Sequence, residues 1–97
     1  MSLTIDQQDE LQERIRRAPA DLLAARIRRA RRTAETVKTL DSLAAAVASS
    51  RQHLIKLEKG MHRPRAEMLT KIAEATGRSV EWFLDPDVDP SPFQEAA

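Results

Sequence analysis

The apolar residues of this chain fall at helical intervals, separated by residues that start and stop helices. Leu11 and Ile15, at i and i+4, form the inner stripe of a short amphipathic helix over residues 3–17, capped by Thr4 or Asp6. Pro19 ends it, because a proline pushes the preceding residue out of the α region. The same proline suits the first turn of the next helix, which carries Leu23, Ile27, Ala30 and Ala34 on one face and Arg28, Arg29 and Arg32 off it. Residues 34–38 lose the periodicity and read as a loop.

Thr39 fits an N-cap, and Asp41 in the next turn complements the helix dipole. The helix from 40 to about 47 turns Leu43, Ala44 and Val47 inward. Residues 48–50 break it, Ser50 caps the next helix, and that helix, from 51 to about 59, buries Leu54 and Leu57 at i, i+3. Gly60 stops it, since glycine takes a left-handed position cheaply. Residues 61–65 form a loop around Pro64. A helix from 66 to about 76 then buries Met68 or Leu69 with Ile72 and Ala73, and Gly77 stops it. Ser79 caps a short last helix over 80–84. Residues 85–97 hold three prolines and four acids and are expected to form a loose tail. The expected organisation is an N-terminal helical extension over 1–18, a domain over 19–84 and the tail.

Composition agrees with a helical chain. Hydrophobic residues make up 41% of the 97 and aromatics only 3%, so the core must come from Leu, Ile, Val and Ala. The absence of cysteine excludes disulfides and thiolate metal sites. Residues 1–13 carry four acids and no apolar run, unlike a signal peptide, and no stretch approaches a membrane-spanning length. A cytoplasmic, nucleoid-associated protein is expected. The net charge of +1 is unevenly spread: residues 26–65 hold eleven Lys or Arg against Glu35, Asp41 and Glu58, a net +8, and the rest of the chain carries −7. A basic middle between acidic ends suits a polyanion-binding face, although charge on solvated helix faces clusters in the same way.

Two short helices joined by a tight break, over 39–59, are the sequence form of a helix-turn-helix. With the small Ala44 permitting a close crossing, the stretch from Thr39 to Leu84 resembles the Cro/repressor-like (Xre) helix-turn-helix family. The match is in register at Leu43–Ala44, Ser50, Leu54, Leu57, Glu58–Lys59–Gly60, Arg63–Pro64, Ile72–Ala73, Gly77 and Val80–Glu81–Trp82–Phe83–Leu84. It covers roughly half of the chain strongly. The resemblance implies an all-α fold, a compact five-helix lambda-repressor-like bundle, here with an extra short N-terminal helix and a loose acidic C-terminal tail. Three features depart from the family pattern. Ala48 stands where glycine is common, which would cost ~1–2 kcal/mol in a left-handed conformation. Ser49 replaces a usually apolar residue, and the connection before Thr39 is longer than the common form and lacks its glycine.

The resemblance also implies a docking mode, in which the start of the second motif helix enters the major groove of double-stranded DNA. Arg51, Gln52 and Lys56 fall on the matching positions, with Ser50 as the cap and His53 and Lys59 at the margins. Arg can bridge guanine O6 and N7, and Gln can bridge adenine N6 and N7. Without DNA these are ordinary solvated residues, off the Leu54/Leu57 face. Ile55 either touches a thymine methyl or packs on a neighbouring helix. Thr39, Lys59, His62 and Arg63 flank the helix and suit phosphates, with Arg63 and Arg65 also readable as loop charges. By resemblance, Glu58 pairs with Arg31 or Arg32, and Trp82 belongs to the core.

The function implied is sequence-specific DNA binding by a bacterial or phage transcriptional repressor or regulator. A homodimer on a palindromic operator is expected, paired through Leu11 and Ile15 or through Trp82, Phe83 and Phe93. Arg28 or Arg32 is expected to add a phosphate contact. The alternative is an antitoxin that binds operator DNA and a toxin protein, using residues 1–18 or the acidic tail. An enzyme is not expected, since no phosphate loop or nucleophile with a matched base is present. His53 and His62 lack an acidic ligand in phase, so neither a metal nor a cofactor is expected.

Overall fold

Capping by short polar side chains sets where the helices begin. In the computed structural model, which describes residues 4–87, six helices follow one another. They are α1 (Ile5–Arg17), α2 (Ala20–Thr33), α3 (Leu40–Ala46), α4 (Arg51–Glu58), α5 (Ala66–Thr76) and α6 (Val80–Leu84). Thr4 rather than Asp6 caps α1: its hydroxyl accepts from the Gln7 N–H at 3.1 Å, and the Gln7 side chain accepts from the Thr4 N–H at 3.0 Å. Thr39 and Ser42 make the same reciprocal pair at the start of α3. Ser50 accepts from the His53 N–H at 3.0 Å, and Ser79 accepts from the Trp82 N–H at 3.3 Å.

Helices α3, α4 and α5 end alike. The N–H of Ser49 reaches the Ala44 carbonyl at 2.8 Å, that of Met61 reaches Lys56 at 3.0 Å, and that of Arg78 reaches Ala73 at 2.9 Å. Each such closure needs one left-handed residue. Gly60 (φ 77°) and Gly77 (φ 75°) supply two of them, and Ala48 (φ 55°) supplies the third. The turn between α3 and α4 therefore holds a methyl group where the backbone favours none.

The core gathers Ile15, Ile27, Leu43, Val47, Leu54, Leu57, Leu69, Ile72 and Phe83, all essentially solvent-free. Leu69 rather than Met68 points fully inward. Helix α2 runs through the middle and packs against α4, α5 and α6, while α3 packs on α4 and α5. The expected N-terminal extension is built into this body: α1 lies on α5, and Leu11, Ile15 and Ala18 join the same core. Trp82 is buried, edge-on to Phe83 at 5.1 Å. Leu11, Ile15, Trp82 and Phe83 are thus covered by their own chain and provide no free pairing surface, contrary to the sequence expectation. Phe93 and most of the expected tail, from residue 88 on, lie outside the described residues. Among those described, the exposed large hydrophobics are Ile5 and Met61.

The buried stripe of α2 also holds one basic residue. Arg26 is buried, and its guanidinium donates to the carbonyls of Trp82 and Asp85. Its guanidinium carbon stands 5.3 Å from the Trp82 ring centroid, and that of Arg78 stands 4.1 Å away, within cation–π range. Arg14 also pairs with Glu81. Five residues cannot hold a helix by propensity alone, so these cations tie α6 down.

The strained turn yields a stability prediction. Ala48 is exposed, so Ala48→Gly relieves the left-handed strain without opening a cavity. The variant should gain about 1 kcal/mol in urea unfolding and several degrees in Tm. An unchanged or lower midpoint would contradict the strain.

Candidate nucleic-acid interface

Two leucines and one ion pair fix the rotation of α4. Leu54 and Leu57 enter the core, leaving Arg51, Gln52 and Lys56 exposed and His53 and Ile55 half-buried. At the far end of the helix, the Glu58 carboxylate accepts two bonds from Arg31, Nε to Oε2 at 2.6 Å and Nη2 to Oε1 at 2.9 Å. The two side chains are only 12% and 8% exposed. Arg31 is therefore the partner of Glu58, and Arg32 remains exposed. Donating to the Glu58 carboxylate raises the Arg31 pKa above its ordinary value, although burial acts the other way. The remaining Arg31 nitrogen, Nη1, donates to the Lys38 carbonyl at 2.6 Å, just before α3. One guanidinium thus joins α2, the connection into α3, and α4.

At its other end α4 meets α3 through charge. The Arg51 guanidinium lies 3.8 Å from the Asp41 carboxylate, both well exposed. Such a pair contributes little to stability and leaves the Arg51 side chain free to meet a ligand.

An open groove of about 500 Å³ runs between α4, the 61–65 loop and α5. Ser50, Gln52, His53, Lys56, His62, Arg63, Arg65, Glu67, Met68 and Lys71 line it. Six of the residues singled out from sequence are brought together here, and Thr39, Arg51 and Lys59 are not. Thr39 is exposed at the start of α3 with its hydroxyl oxygen accepting from the Ser42 N–H at 3.0 Å. Lys59 borders a separate depression with Asp21, Ala24, Ala25, Arg28 and Glu58. The sequence pattern marks Arg65 only as a loop charge and does not mark Lys71. Periodicity shows that Lys71 faces away from Leu69 and Ile72, but only the path of the loop brings it beside α4.

The cations of the groove rim are not equivalent. Arg63 turns back toward α1, where its Nη1 donates to the Ile15 carbonyl at 2.8 Å and to that of Ala18. Lys56, Arg65 and Lys71 remain exposed. Of the five arginines in α2, Arg26 and Arg31 are committed to internal contacts, and Arg28, Arg29 and Arg32 face solvent. Among the described residues, no His, Asp and Glu group is arranged to hold a metal. No helix among them is long and apolar enough to cross a membrane.

A family model described as helix-turn-helix matches residues 27–83, more than half of the chain. The match starts inside α2, ends inside α6 and leaves α1 outside. Comparisons with curated proteins and with solved structures return no match.

The Arg31–Glu58 node generates a contrast between neighbouring residues. Arg31→Ala strands a buried carboxylate and should cost about 3–5 kcal/mol in urea unfolding. Arg32→Ala, at an exposed position, should stay within about 0.5 kcal/mol of the parent. Equal effects of the two substitutions would contradict the placement of α4.

Proposed function

The chain belongs to the helix-turn-helix family of DNA-binding regulators, and from that membership we propose a transcriptional repressor that seats the first turn of α4 in the major groove. Arg51 and Gln52 read base edges there, with Ser50 setting the start of the helix and His53 at its margin. Lys56, Arg65 and Lys71 hold the phosphate backbone, and Thr39, Lys59, His62 and Arg63 flank the contact. Of the arginines in α2, Arg28 and Arg32 remain available for a further phosphate.

The observation that carries this reading is the asymmetry of α4. One face is anchored by Leu54, Leu57 and Glu58, and the other opens on a groove lined by the outward cations Lys56, Arg65 and Lys71 against one acid, Glu67. Phosphate contacts from such a rim supply affinity, whereas side chains at the start of the helix supply sequence preference.

An eight-residue helix offers few base contacts, so the proposal includes a pair of protomers on a palindromic operator, with recognition helices ~34 Å apart. Because exposed large hydrophobics are scarce among the described residues, the pair forms chiefly on the operator. The antitoxin alternative relied on residues 1–18 or the tail. The apolar stripe of α1 is covered by α5, which favours the repressor.

Selection of bound sequences from random duplex DNA tests the proposal, and a two-fold symmetric site should emerge. On that site Gln52→Ala and Arg51→Ala should each cost ~1–3 kcal/mol and relax preference at one base pair per half-site. Lys71→Ala should instead lower the salt slope by about one unit and leave base preference intact. Absence of any enriched site, or Gln52→Ala binding as tightly as the parent, would overturn the proposed docking.

A further inference from the structure

Helix α1 lies outside the family match, yet it holds the segment that forms one wall of the groove. Three successive anchors fix residues 63–66. Arg63 donates to the carbonyls of Ile15 and Ala18 at the end of α1. Pro64 is fully buried. The Ala66 N–H, the first of α5, donates to the Gln12 side-chain carbonyl at 2.8 Å. Two of the three anchors come from α1 or its cap.

Each contact meets a need left by the local sequence. The last carbonyls of a helix lack partners within it, and Pro19 has no N–H to offer. A guanidinium answers that need and suits the negative end of the helix dipole. At α5 the N-cap residue is Arg65, whose side chain makes no capping bond. Gln12 supplies from another helix an acceptor for one of the unpaired N–H groups of the first turn.

We propose that α1 is a brace for DNA binding, with Gln12 and Arg63 as positioning residues that hold Arg65 and the start of α5 at the spacing a phosphate backbone requires. The inference rests on the reading of the groove as a phosphate site. A wall fixed in advance need not be ordered on binding, which preserves affinity. Because the wall meets phosphates rather than bases, loosening it weakens all duplexes alike.

The test uses the full chain with Gln12→Ala, Gln12→Glu, Arg65→Ala and the Gln12→Ala/Arg65→Ala pair, titrated with the selected site and with scrambled duplex. Gln12 is exposed, so the variants should stay folded, and melts set a working temperature below all transitions. Gln12→Ala should weaken both duplexes by the same factor, about three- to tenfold, the worth of one hydrogen bond. In the Arg65→Ala background its effect should shrink to less than about twofold, as coupled positions do. Gln12→Glu keeps an acceptor and should bind within about twofold of the parent. Undiminished binding by Gln12→Ala, or an equal loss with and without Arg65, would overturn the brace. Amide exchange at Ala66 gives a readout that needs no DNA. Faster exchange in Gln12→Ala is expected, and unchanged protection would overturn the brace even if the parent bound no duplex. A parent that binds no duplex would instead sink the groove reading itself.

Discussion

The bidentate bond between Arg31 and Glu58 is the constraint on which the rest of the interface depends. Helix α4 has eight residues and only Leu54 and Leu57 deep in the core. Those leucines set its rotation, but two apolar anchors three residues apart leave its tilt and axial position loosely determined. Glu58 closes that freedom by locking the last turn to α2, and the same guanidinium holds the Lys38 carbonyl ahead of α3. Burying two charges costs several kcal/mol, and the three hydrogen bonds on Arg31 offset it. The consequence is definite geometry: both motif helices are referred to one point on α2.

A second theme is that charge counted along the sequence differs from charge available at a surface. Residues 26–65 look like one basic block, but several of its cations act inside the molecule. Arg26 holds the end of α6 under Trp82, Arg31 holds α4, and Arg63 closes the end of α1. Of the cations that remain outward, Lys56 and Arg65 join Lys71 from α5 around one groove, and Arg28 lies beside Lys59 at another. The internal arginines create the scaffold, and the outward ones give it its field.

Much of the fold was legible in the sequence because its punctuation is local. Thr39, Ser50 and Ser79 cap the helices they precede, and Gly60 and Gly77 end the helices they follow, each through bonds made within a few residues. Inward faces were legible for the same reason. The elements that cover an inward face were not. Leu11, Ile15, Trp82 and Phe83 read as inward residues, but whether their own chain or a second protomer covers them shows only once α5 and α2 are seen lying on them. Arg26 falls on the stripe of Leu23, Ile27 and Ala30, but the acceptors that permit a buried guanidinium there are 56 and 59 residues away. Arg65 and Lys71 join the site only through the course of the loop, which the bonds of Arg63 and Gln12 tie to α1.

On the proposed docking, the outward face of α4 and the adjoining wall of α5 form one surface for duplex DNA. Titration of the isotopically labelled protein with the selected duplex, followed by backbone amide shifts, tests it most directly. The largest changes are expected at Thr39–Ser42, Ser50–Lys56 and Arg63–Lys71, with the acidic outer face of α1 at Glu10 and Glu13 unmoved. Largest shifts on α1 or α6, with α4 silent, would contradict it.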